Sequence, residues 1–106
     1  MLKRLQEPGV LLQGTRVRVL LKTLPPHGSI PSHTHPNHNV LVTALTGEVS
    51  LHAPDEQLTL HAGEVTWIDE TTPLALTAGA EGATFSVTLA RQGQGAQDAP
   101  PSGQLT

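Results

Sequence analysis

The stretch HTHPNHNVLVTALTGEV, residues 33–49, holds three of the chain's six histidines in its first six positions. It runs straight into VLVTALTG (40–47), an apolar β-rich segment that stops at a glycine. In an extended strand residues i and i+2 point to the same side, so His33 and His35 present their imidazoles to one face. EVSLH (48–52) resumes the extended pattern, and APDEQ (53–57) reads as a hairpin turn. Upstream, Val17, Val19 and Leu21 alternate with Arg16, Arg18 and Lys22 in TRVRVLLKTL (15–24), the period of two expected of a half-buried strand. PPHGSIPS (25–32) is turn chemistry. Downstream, LTLHAGEVTWI (58–68) holds two strands around a tight turn at Ala62-Gly63, and DETTP (69–73) is a loop. LALTA (74–78) and ATFSVTLA (83–90) are the last strands, separated by GAEG. No segment before residue 90 carries a 3.6-residue apolar period. Many short strands at near-regular spacing make an all-β sandwich or barrel.

The bulk composition narrows the function classes. A chain of 106 residues is one domain with one modest core. Trp67 and Phe85 are its only aromatic residues, so the core is aliphatic and a base-stacking surface is not expected. The net charge is −3 and the six Lys and Arg are scattered along the sequence, which argues against a nucleic-acid partner. The absence of cysteine excludes disulfides, thiolate catalysis and Cys-type zinc sites. MLKRLQEPGVLLQG (1–14) has no long apolar run to serve as a signal or membrane anchor, so a cytoplasmic location and no membrane partner are expected. The barrel is expected over residues 1–90. RQGQGAQDAPPSGQLT (91–106), rich in Gly, Gln and Pro, is too polar to fold alone and is expected to be flexible or held against a partner surface.

The order Gly28, His33-Thr34-His35-Pro36, then a hydrophobic strand closing at Gly47-Glu48-Val49 resembles the first motif of the cupin superfamily, G-(x)5-H-x-H-(x)3-4-E-(x)6-G. The segment AGEVTWI (62–68) resembles that family's x-G-D-x-x-x-x-P. The resemblance covers roughly residues 15–90. It implies a single-domain cupin barrel of jelly-roll type, a double-stranded β-helix, and it implies a homodimer, which unpaired edge strands also favour.

The departures from the motif bear on function. Gly28 stands one residue closer to His33 than the pattern asks. Counting back from Gly47, the position of the metal-binding Glu is Val40. With the first glycine of the second motif, G-(x)5-P-x-G-(x)2-H-(x)3-N, placed on Gly63, the Pro, Gly, His and Asn fall on Asp69, Thr71, Leu74 and Ala78. The resemblance therefore leaves His33 and His35 as metal ligands and replaces a carboxylate and an imidazole with Val40 and Leu74. Catalytic metal sites usually take three protein ligands, and His38, in the loop beyond His35, is the candidate third, with Asn39 in support. A divalent transition metal (Zn, Mn, Fe, Ni or Cu) or no metal at all fits this set.

Three functions stay open. One is a small-molecule binding module using a lumen lined by Val40, Val42, Leu74, Trp67 and the His33/His35 pair. The second is a metal-dependent enzyme of oxygenase or isomerase type built on His33, His35 and His38. The third is a structural or interaction protein with a closed lumen. His27, His52 and His61 read as turn or outward-facing residues. The carboxylate pairs Asp55-Glu56 and Asp69-Glu70 read as solvated turns. No serine elbow or phosphate-binding glycine loop occurs.

Overall fold

The computed structural model describes residues 1–93 and Pro100. Seven strands follow in order: β1 (Gly9–Gln13), β2 (Val17–Leu24), β3 (Ser29–His33), β4 (His38–Ala53), β5 (Glu56–Leu60), β6 (Val65–Ile68) and β7 (Leu74–Arg91). All pairings are antiparallel. Among the described residues there is no helix, and so none long and apolar enough to cross a membrane. The expected tail, 91–106, starts at the last residue of β7, and its residues 94–99 and 101–106 lie outside the described residues.

Two long bent strands organise the molecule. The sequence suggests four short strands at 40–47, 48–52, 74–78 and 83–90. These merge into β4 and β7, which pair from end to end except at the corner, where residues 79–82 have no register partner on β4. Near one end His38 faces Arg91, and near the other His52 faces Ala75. The register shifts between Ala44 and Thr46 and between Gly47 and Val49, where the ribbon turns a corner. Each half of the ribbon then recruits its own neighbours. The 38–44/85–91 half takes β2 on one side and β6 on the other, with β1 beyond β2. The 49–52/75–78 half takes β3 and β5. The result is two layers that share β4 and β7, the jelly-roll barrel expected from the sequence.

The corner requires glycine. Gly47 has φ +70° and Gly82 φ +78°, a left-handed backbone that costs side-chain-bearing residues energy. A Cβ on Gly47 would also collide with the Gly82 carbonyl oxygen and stand 3.2 Å from the Ala83 Cα. LTLHAGEVTWI does form two strands around the Ala62-Gly63 turn, but β5 and β6 do not pair with each other. Each pairs with a different half of β4.

The core lies between the layers. Val40, Val42 and Ala44 from β4 meet Phe85 and Leu89 from β7, and Val49 and Leu51 meet Leu74, Leu76 and Ala78. Phe85, Val40, Val42 and Val49 are the largest fully buried side chains. A fully buried aliphatic or aromatic side chain contributes about 1.5–3 kcal/mol of transfer free energy, so this aliphatic set holds the two layers together.

Candidate functional site

The space between the layers opens at the end where β3 finishes and β4 begins. It is a cavity of about 240 Å³. Val40, Val42, Leu74, Leu76, Val87 and Leu89 supply its apolar wall, and His33, His35, Arg18 and Lys22 its polar groups. The sequence expectation that His33 and His35 share a face holds: both line this lumen, with ring centroids 4.6 Å apart and planes at 70°. Val40, Val42 and Leu74 also line it.

Local structure fixes the histidines. Nδ1 of His33 lies 2.9 Å from the Pro31 carbonyl oxygen. A carbonyl oxygen only accepts, so Nδ1 carries a proton, and in the neutral tautomer the lone pair stands on Nε2. His38 makes the same contact with the Pro36 carbonyl, also at 2.9 Å. Between them the chain turns through Asn37, at φ +67°, whose backbone N–H donates to the Glu70 carboxylate at 2.9 Å. Burial lowers the pKa of His35 below its ordinary value, and the neighbouring His33 and His38 push it the same way. His35 is therefore a neutral imidazole near pH 7.

His38, expected as a third ligand, does not line the lumen. It lines an outer cleft of about 390 Å³, shared with His35, Arg16, Arg18 and Arg91. Trp67, expected in the lumen, is on the wrong side of its strand to reach it. In β6 Ile68 pairs with Val40 and faces inward, whereas Trp67 pairs with the exposed Leu41. Its indole N–H donates to Asn39 Oδ1 at 2.9 Å on the outer face. The Val65/Trp67 and Thr66/Ile68 faces both carry apolar residues, so alternation alone does not say which turns in.

Arg18 and Lys22 are site residues that the sequence reading misses. In β2 they flank Leu20 on the inward face, paired with Leu89, Val87 and Phe85, all lumen residues. The Val17, Val19 and Leu21 set points the other way. The signal lies in Arg16-Val17-Arg18: residues two apart share a face, and here the polar face of the strand is the one turned to the cavity.

The donor set does not fit the family's full metal centre. Buried Val40 and Leu74 occupy two ligand positions and donate nothing. Two cations line the same cavity as the two imidazoles, and like charge nearby disfavours a further cation. Among the described residues no three His, Cys, Asp or Glu side chains are grouped so as to hold a metal ion. The remaining histidines lie elsewhere. His27 is exposed in a left-handed turn. His52 bonds Thr77 Oγ1 at 2.9 Å on the side away from the core, and exposed His61 bonds the Glu48 carboxylate at 2.8 Å.

Comparison with known proteins agrees with this architecture. The model of the Cupin_2 family, described as a cupin domain, matches residues 20–88. No curated protein matches the sequence significantly. Among solved structures, TT1209 from Thermus thermophilus superposes with a TM-score of 0.74 at 23% identity, covering 82% of this chain and 84% of that one. An uncharacterised conserved protein with a double-stranded β-helix domain from Klebsiella pneumoniae gives the same score and identity over 89% and 84%. A cupin-2 domain protein from Shewanella frigidimarina gives 0.68 at 18% identity over 85% of both chains. At these identities the likeness concerns the fold alone. With the family model spanning about two thirds of the chain, and two layers sharing a bent ribbon around a histidine-bearing lumen, this protein belongs to the cupin domain family.

Proposed function

We propose that this protein is a small-molecule binding module whose ligand occupies the barrel lumen. The observation that carries the reading is the cavity itself: about 240 Å³, lined mostly by apolar side chains with His33, His35, Arg18 and Lys22 among them. That division is the usual build of a ligand site, where apolar walls supply affinity and a few fixed polar groups supply orientation. A barrel acting purely as a scaffold would fill this space with side chains. His33, with its Nδ1 committed to Pro31, offers Nε2 as a fixed acceptor for a ligand hydroxyl or amine.

The test is a two-dimensional amide NMR titration of untagged protein with a library of small polar and amphipathic compounds, preceded by elemental analysis. Hits that shift Val40, Val42, Leu74 and Leu76 together support the reading. Hits confined to other surfaces, or none, count against it. About one transition metal per chain after purification would instead favour the metal-dependent enzyme, with His33 and His35 as its core.

A further inference from the structure

We infer that the ligand is a small organic carboxylate, its anionic end held by Arg18 at the lumen mouth and its apolar body lying along Val40, Val42 and Leu74. The inference rests on the lumen-binding reading above and adds the chemical class.

Charge distribution carries it. The chain has net charge −3, yet no Asp or Glu lines either the lumen or the outer cleft. Three of its four arginines, Arg16, Arg18 and Arg91, line the cleft, and Lys22 lines the lumen. Residues that are scattered in sequence are gathered by the fold. β2 and the turn before it bring Arg18 and Arg16, and the end of β7 brings Arg91, whose backbone N–H donates to the Arg16 carbonyl at 2.7 Å. Arg18, His35 and Leu89 line both spaces, so the cleft and the lumen adjoin at these side chains. Among the described residues neither Arg18 nor Lys22 pairs with a carboxylate. Glu70, near the mouth, accepts from the Asn37 backbone N–H and lines neither space.

A guanidinium with no carboxylate partner, at the edge of an apolar cavity, matches a carboxylate by geometry, because its planar fork makes two parallel hydrogen bonds. The surrounding cations draw anions toward the opening. The lumen is somewhat smaller than the roughly 300–1,000 Å³ of drug-sized sites. A short-chain acid fits it better than a nucleotide or a large cofactor.

The experiment compares hexanoate, 1-hexanol and inorganic phosphate as probes by amide NMR, on the wild type and on Arg18→Gln. Arg18 is exposed and makes no ion pair among the described residues, so the variant is expected to fold, and its thermal melt checks this. Hexanoate should bind at least tenfold more tightly than 1-hexanol and shift Val40, Leu74 and Leu89. Arg18→Gln should weaken hexanoate at least tenfold and leave 1-hexanol unchanged. Equal binding of hexanoate and 1-hexanol within the lumen would overturn the carboxylate assignment while leaving lumen binding intact. Phosphate competing with hexanoate at equal affinity would also overturn it, since the apolar body would then contribute nothing. If neither hexyl probe enters the lumen, the assignment and the lumen reading both fall.

Discussion

Replacing Gly47 by alanine isolates the corner on which the two layers depend. The added methyl would run into the Gly82 carbonyl oxygen and press on the Gly82 carbonyl carbon at 3.1 Å and the Ala83 Cα at 3.2 Å. All three atoms belong to the backbone of β7, so relief means parting the strands. The left-handed conformation at φ +70° costs alanine about 1–2 kcal/mol by itself. Parting the Gly47–Ala83 and Thr46–Thr84 pairs loosens one or two backbone hydrogen bonds, each worth about 1 kcal/mol net, and disturbs the packing of Val49 and Ala83. The first two terms alone come to about 2–4 kcal/mol, a large part of the roughly 5–15 kcal/mol available to a domain. Gly63→Ala is the matched control. Its φ is +90°, but nothing lies within 4 Å of the position its methyl would take, so only the conformational cost of about 1–2 kcal/mol applies. Urea denaturation of both variants, read by circular dichroism with equal m-values, gives the difference directly. Equal losses for the two would refute the close approach of β4 and β7 at this corner.

Three further outcomes are expected. Phe85→Ala removes a side chain with 0% exposure that also lines the lumen and should cost about 3–5 kcal/mol in chemical denaturation. A loss below about 1 kcal/mol would place the ring outside the core. Asp69 Oδ1 accepts from the hydroxyls and backbone N–H groups of Thr71 and Thr72 at 2.8–2.9 Å. These bonds, the Thr71 hydroxyl first, hold its pKa below the ordinary carboxylate value. A depressed folded pKa stabilises the fold above the unfolded value near ~4, and that stability is lost as pH falls through the folded value. Asp69→Asn should therefore flatten the acid side of the stability profile, and an unchanged profile would show that Asp69 is not its source. Finally, β1 is an edge strand exposing Val10 and Leu12 at 50% and 52%. Light scattering should find a homodimer that Leu12→Lys converts to monomer, whereas a wild-type monomer at all concentrations would rule out the pairing.

Parity and punctuation in the sequence reveal much of this structure. The i, i+2 rule names the right pair, although β3 ends at His33 and His35 stands two residues beyond it in irregular chain. Val40 and Leu74 fall on the lumen because the family spacing survives although the ligands do not. What escapes is the sense of each alternation. Period two says that two faces differ, not which one turns inward, and β2 and β6 defeat the simplest choice in different ways. In β2 the polar face holding Arg18 and Lys22 borders the cavity. In β6 both faces are partly apolar, and the larger residue, Trp67, lies outside. The merging of short strands into β4 and β7 is hidden because Gly47, Gly79 and Gly82 mark bends within continuous pairing as readily as they mark turns. The arginine cluster is invisible because it is assembled from opposite ends of the chain.

The β4–β7 ribbon also orders the way the molecule closes. Pairing His52 with Ala75 spans a much shorter loop than pairing His38 with Arg91, and loop-closure entropy grows with the length of chain enclosed. The ribbon is therefore expected to zip from its inner end outward, with the rungs Asn39–Ala90 and His38–Arg91 the first to fray. Those rungs border the mouth where the arginines gather. Amide exchange should show protection falling from residues 49–52 toward 38–40. The outer rungs beside the arginines thus form the seam expected to open most cheaply, and the proposed lumen ligand would enter there by brief local melting while the corner and the deeper core stay shut.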